Sequence, residues 1–213
     1  ADDDGNGNKF DDPNDLTNEG NNEGWLPIAF TSTFRGVYNG NYRRIISMTI
    51  NRPSANRAVG FISQCSGGFG TTSKVMKLGF IDGYVHGGTA QVGGIVGYVA
   101  SIGNITIIDE VFFEGTVKKM NNDDNDVGGI VGEFVEGQVL SNSFFKGKVI
   151  NFGTGNTGGI AGQMRSSLGF QNLYFKGEIQ VDRSNLAYVG GLIGYSLPTN
   201  NSLQVENGYA VAT

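Results

Sequence analysis

One phrase occurs four times in this chain, and it constrains the fold more than any other feature. It reads VGGIVGYV at Val92–Val99, VGGIVGEF at Val127–Phe134, TGGIAGQM at Thr157–Met164 and VGGLIGYS at Val189–Ser196. The glycine pairs begin at Gly93, Gly128, Gly158 and Gly190, at spacings of 35, 30 and 32 residues. A second phrase alternates with the first: VFFEGTV (Val111–Val117), SFFKGKV (Ser143–Val149) and LYFKGEI (Leu173–Ile179), with LGFIDGYV (Leu78–Val85) as a longer version. Its glycines, Gly83, Gly115, Gly147 and Gly177, are spaced 32, 32 and 30. Two markers that keep one period define an internal repeat. A degenerate copy, AVGFISQ (Ala58–Gln64), precedes them with Gly60 matching Gly93, and NGYAVAT (Asn207–Thr213) reads as the start of one more unit.

Each unit is strand-like. Its segments are short, rich in Ile, Val, Phe and Tyr, bounded by Gly, Asn, Asp and Ser, and partly alternate apolar with polar residues. No helical stripe appears. A unit of roughly 32 residues with about three short strands makes one turn of a solenoid, and stacked turns share a core that one turn alone does not bury. The expected fold is therefore all-β: a β-solenoid, parallel β-helix-like, with an N-terminal cap. Residues 24–57 are the expected cap, with Trp25 packing over the open end, where bare strand edges invite aggregation. Residues 58–213 are the repeats, the last one truncated.

Recurrence at one place in every turn explains the glycines. Gly93, Gly94, Gly97, Gly128, Gly129, Gly132, Gly158, Gly159, Gly162, Gly190, Gly191 and Gly194 are expected to be structural. Glycine permits positive φ and close backbone approach, and the next turn lies only about 4.8 Å away. A dinucleotide-binding loop would need a strand before it, a helix after it and an acid about twenty residues on; here no helix follows, and four copies are three too many. GGFGTTSK (Gly67–Lys74) lacks the Gly-Lys-Ser/Thr ending of a P-loop. Phe113, Phe145 and Phe175 recur at one position and are expected to form an internal aromatic stack.

The glycine phrases resemble the GLUG motif, a glycine–hydrophobic–hydrophobic–glycine repeat. The segment GWLPI (Gly24–Ile28) with FRGVYNGNYRRIISMTINRP (Phe34–Pro53) is similar to the lead-in that precedes such repeats. The resemblance covers about residues 24–213. It implies a β-helix on a secreted or cell-surface bacterial protein, as in large adhesins and the β-helical part of some immunoglobulin A peptidases. It implies no catalytic residues, because in those peptidases the chemistry belongs to a separate zinc domain. This chain has one histidine, His86, and no His-Glu-x-x-His sequence. AVGFISQ departs from the pattern by lacking the second glycine.

Candidates for chemistry are few. Asp2, Asp4, Asn6, Asp11, Asp12 and Asp15 offer the oxygen ligands that calcium prefers. Position twelve of an EF-hand would fall on Pro13, so that geometry fails. Residues 1–23 are then a calcium-binding segment or, by default, a solvated acidic linker, and Ca2+ is the one cofactor in view. NNDDND (Asn121–Asp126) reads as an exposed turn, with calcium the less favoured alternative. A polysaccharide-cleaving site would need converging carboxylates. Asp109, Glu110 and Glu114 lie close together, but the matching positions in later units hold Ser141, Lys146, Gln171 and Lys176. That pattern suggests a charge ladder across stacked strands. An ice-binding face would call for a threonine column, whereas Thr116 is followed by Lys148 and Glu178.

Composition narrows the partners. A net charge of −5 gives no reason to expect nucleic acid. No apolar run is long enough to span a membrane as a helix. Cys65 is the single cysteine, so no internal disulfide forms. The N-terminus does not read as a signal peptide, and the stop in mid-repeat suggests part of a longer chain. The function expected is a non-catalytic module, not an enzyme, acting in adhesion or as a rigid spacer, with carbohydrate or protein on a surface as its partner. A polysaccharide-active enzyme and an ice-binding solenoid are the alternatives.

Overall fold

The computed structural model describes residues 24–68, 70–100, 105–135, 138–165, 167–182, 188–197 and 205–212, and among them there is no helix. Sixteen strands wind into a β-solenoid of about five turns. Asp2, Asp4, Asn6, Asp11, Asp12 and Asp15 lie outside the described residues.

Each turn has the same three parts. A long strand of 14 or 15 residues carries the aromatic phrase: β4 (Ser73–Gly87), β7 (Thr106–Lys119), β10 (Gln138–Asn151) and β13 (Ser167–Val181). The glycine phrase supplies the other two walls. A two-residue strand comes first: β5 (Val92–Gly93), β8 (Val127–Gly128), β11 (Thr157–Gly158) and β14 (Val189–Gly190). A two-residue bend follows, and then a four-residue strand: β6 (Val96–Val99), β9 (Val131–Phe134), β12 (Ala161–Met164) and β15 (Ile193–Ser196). The last turn ends with β16 (Val205–Ala212). Strands pair in parallel only with their counterparts in adjacent turns, giving three sheets.

The long strand replaces the short strands expected from sequence. It bends rather than stops, because every neighbour bends at the same place. Gly115, Gly147 and Gly177 have φ of 149°, 142° and 152°, a region reserved for glycine. They stack in register with Gly83. A second kink lies upstream at Lys77, Glu110, Asn142, Asn172 and Asn207, all left-handed with φ between 48° and 55°. Ladder pairing continues past both kinks.

The paired glycines of the other phrase do something different, and none has a positive φ. They are needed for close approach. A Cβ on Gly129 would fall within 3.0 Å of the Gly159 carbonyl oxygen and of the Phe145 ring, and Gly159 is placed the same way against Gly191 and Phe175. Gly94 meets the Gly129 carbonyl and Phe113 in the same fashion. Gly97, Gly132, Gly162 and Gly194 are crowded by backbone of the preceding turn. Gly93, Gly128, Gly158 and Gly190 stack as one column, crowded by the carbonyl three residues on.

The core is the axial interior. Phe80, Phe113, Phe145 and Phe175 are fully buried in one column. The ring centroids of Phe113, Phe145 and Phe175 lie 5.9 and 6.0 Å apart with planes within 13° of parallel. Phe61 continues the line onto Phe80 at 5.1 Å. It sits where the first glycine phrase is one residue short: Val59 bridges Val92 and Ile62 pairs with Val96, so Gly60 and Phe61 span what Gly93, Gly94 and Ile95 span in the next turn.

The segment expected to cap the N-terminal end is itself wound onto the solenoid. β1 (Val37–Ile46) and β2 (Thr49–Asn51) pair in parallel with β4, while Ile28 bridges Ile62 and Phe34 bridges Cys65. Trp25 stacks on Phe61 at 6.3 Å and stays 46% exposed, so it covers the end of the aromatic column only in part.

Candidate binding face of the long sheet

The outward face of the long sheet displays its side chains in axial columns, one residue per turn, because parallel in-register strands place equivalent positions side by side. The first column is Asp109, Ser141, Gln171 and Glu206. Beside it runs an asparagine ladder on the left-handed kinks. Asn207 donates to Asn172 Oδ1 at 3.0 Å, Asn172 to Asn142 Oδ1 at 2.7 Å, and Asn142 to Asp109 Oδ1 at 2.9 Å. Asparagine tolerates left-handed backbone better than most residues, and its amide bonds to the copy in the next turn. Sequence reasoning missed this ladder. Its signal was an Asn two residues before the aromatic pair or its counterpart in SNSFF, QNLYF and ENGYA.

Next come the outward aromatics Phe112, Phe144, Tyr174 and Tyr209. Phe112 and Phe144 stack in parallel at 4.8 Å, and Tyr174 and Tyr209 stack at 5.6 Å. Phe112 and Phe144 thus cover one face of each other, and so do Tyr174 and Tyr209.

The following columns are charged. Glu114, Lys146 and Lys176 align, as do Thr116, Lys148 and Glu178. Between them runs the kinked glycine column. Its missing side chains leave an axial groove of about 440 Å³ over Gly115, Gly147 and Gly177, walled by Lys146, Lys148 and Lys176. Lys146 pairs with Glu114 at 3.7 Å and Lys148 with Glu178 at 3.1 Å. Lys176 makes no ion pair among the described residues. Exposed pairs of this kind add little stability, so they leave both partners available to a ligand.

The carboxylates do not converge. Glu114 belongs to the lysine column, and Glu110 turns to the Tyr42 hydroxyl at 3.1 Å and to Lys77 at 3.8 Å. Asp109 accepts from Ser141 at 2.7 Å. Among the described residues no three His, Cys, Asp or Glu side chains gather as a metal site requires.

Two acidic groups lie elsewhere, at a corner of the solenoid. Glu133 is 4% exposed and accepts from Gln91 at 2.7 Å and Arg165 at 2.9 Å. Asp126 is 3% exposed, and its Oδ1 accepts from both the backbone and the side-chain amide of Asn156, at 2.8 Å each. Burial, with some help from Glu133, pushes the Asp126 carboxyl up to about 7. A carboxyl so raised suits an acid catalyst, but this one is shut away from solvent.

The NNDDND run is more than an exposed turn. It folds around the Lys119 ammonium, which is fully buried and donates to the Asp123 carboxylate, the Asp123 carbonyl and the Asn125 carbonyl at 3.1 Å. The cation held by this acidic loop is therefore the chain's own lysine. In the next turn the equivalent Asn151 does the same work with an amide, donating to the Gly155 carbonyl and the Thr157 hydroxyl.

The two single-copy residues are structural in their contacts. His86 Nδ1 lies 3.0 Å from Asn51 Oδ1, and burial together with Lys118 lowers its pKa. Cys65 is fully buried against Ser73, and burial raises its thiol.

Compared with known proteins, the chain matches no family model, no curated protein and no solved structure. No helix among the described residues is long and apolar enough to cross a membrane.

Proposed function

We propose that this chain is a non-catalytic β-solenoid module that binds an extended carbohydrate chain along the outward face of its long sheet. The carrying observation is the axial groove over Gly115, Gly147 and Gly177, with lysines on both walls. It repeats with the turns, so it suits a ligand that also repeats along one direction. Its polar walls offer hydrogen-bond donors, and no group of converging carboxylates stands over it. The likeness of the glycine phrases to the GLUG repeat supports a secreted or cell-surface bacterial setting in which such a module serves adhesion. Continuous pairing from turn to turn supports the companion reading, a rigid spacer.

The test is a glycan array probed with the chain and with a Lys146→Ala/Lys176→Ala variant. Retention of linear glycans by the parent and its loss in the variant is the expected result. Retention of none overturns the carbohydrate reading and leaves a protein contact or the spacer. Release of reducing sugar from any retained glycan would overturn the non-catalytic reading, and thermal hysteresis would favour the ice-binding alternative.

A further inference from the structure

Lysines gather on one half of the long sheet's outward face. From the Glu114–Lys146–Lys176 column to the ends of β7, β10 and β13, the outward positions carry Lys118, Lys146, Lys148 and Lys176 against Glu114 and Glu178. Four cations less two anions leave an excess of two positive charges, on a chain whose net charge is −5. The remaining lysine of these strands, Lys119, is buried and held by the 121–126 loop. The three strands are inner ones, flanked by β4 and β16.

The arrangement leaves positive charge uncompensated at one place. Lys146 and Lys176 stand directly opposite each other in register, one strand spacing or about 4.8 Å apart, and like charges so placed repel. Glu114 offsets this from one side only, at 3.7 Å from Lys146, while the neighbour of Lys176 on its other side is Val211. Lys148 stands across the glycine column, 3.1 Å from Glu178. An anionic group in the groove over Gly147 is therefore flanked by Lys146, Lys176 and Lys148, and it relieves the repulsion of the first two. No aromatic ring lines this groove, so it holds no stacking platform for a neutral sugar, and selection falls to charge.

We infer that the ligand of this groove is an acidic polysaccharide, a linear chain of sugars bearing carboxylate or sulfate groups. This rests on the carbohydrate reading above and narrows it to one chemical class. The chain runs along the glycine floor, where no side chain holds it off the backbone, and its anionic groups take hydrogen bonds from the lysine walls. Ammonium-to-anion hydrogen bonds are the stronger kind. Glu114 acts as a competitor, because it already occupies Lys146. The local excess of positive charge sets where on this acidic molecule a polyanion is held.

Titration calorimetry tests this with matched pairs of linear glycans: polygalacturonate and its full methyl ester, and chondroitin sulfate and its desulfated, esterified form. The acidic member of a pair is expected to bind and its masked partner to bind at least ~10-fold more weakly, with affinity falling as salt is raised from about 50 to about 500 mM. Lys146→Gln with Lys176→Gln should weaken binding at least ~10-fold. Glu114→Gln should strengthen it, a gain that damage to the fold cannot produce. Unchanged melting temperatures check that these exposed or half-exposed positions leave the fold intact. Masked or neutral glycans that bind as tightly as the acidic ones overturn this inference and leave the carbohydrate reading standing, whereas binding of no glycan at all overturns both. Equal binding of a single-stranded DNA oligomer would show that the lysines read charge alone, and the assignment to a saccharide would fail.

Discussion

Replacing Asp126 with asparagine isolates one buried ionisation in this solenoid. The carboxyl is 3% exposed and titrates near 7 instead of its ordinary 3.8, chiefly because burial disfavours its charge. A folded-state pKa above the unfolded value means that the folded chain holds the proton more tightly. This contribution to stability is fully present below about pH 4, falls as pH rises toward 7, and is gone above it. A rise of about three units corresponds to roughly 4 kcal/mol across that window, at about 1.4 kcal/mol per unit. Asparagine keeps an oxygen to accept both Asn156 donors and has no charge to bury. Asp126→Asn is therefore expected to be more stable than the parent by ~2–4 kcal/mol near pH 8 and within ~1 kcal/mol of it near pH 4. Urea unfolding followed by circular dichroism across this range measures the difference, and subtracting the two profiles removes all other titrations. Parallel profiles would show that Asp126 does not titrate in the window, and the assignment would fail.

Four further outcomes are expected. Phe145→Ala removes the middle ring of the internal stack and should lower stability by ~3–5 kcal/mol, whereas an unchanged melting temperature would mean that the stack is not a packing element. Gly129→Ala sets a methyl group against the Gly159 carbonyl and the Phe145 ring. It should cost at least ~2 kcal/mol, while the same change at exposed Gly70 meets nothing and tests only its φ of 78°. Lys119→Met leaves the inward-turned acceptors of the 121–126 loop without their cation and should cost ~3–5 kcal/mol; a neutral result in thermal melts would remove the lysine from the loop's structure. For Asp2–Asp15, a melt with calcium and then with excess chelator decides the matter: a large drop on chelation marks a structural metal site, and no change marks a linker.

What could be read from the chain alone follows from the period. Once two phrases share a repeat of roughly 32 residues, residues one repeat apart must become neighbours in space. Parallel stacking, the Phe113–Phe145–Phe175 column, the Glu114–Lys146–Lys176 ladder and the Thr116–Lys148–Glu178 column were all legible this way. No three-dimensional information was required, because a solenoid turns separation along the chain into distance along an axis.

The tertiary structure decided what lies across that axis. The direction in which a side chain points depends on where each strand kinks, and the kinks use two devices that look alike in sequence. Glycine at Gly115 answers a φ need and glycine at Gly129 answers a space need, while Glu110 and Asn142 occupy left-handed backbone with no glycine to mark it. The asparagine ladder, the burial of Asp126 and the wrapping of the 121–126 loop around Lys119 all depend on those directions. So does the part of β1, which looked like a lead-in and is wound as a turn. Repetition is a one-dimensional property that a sequence carries in full, whereas burial is a property of all the neighbours at once and exists only when the turns are stacked.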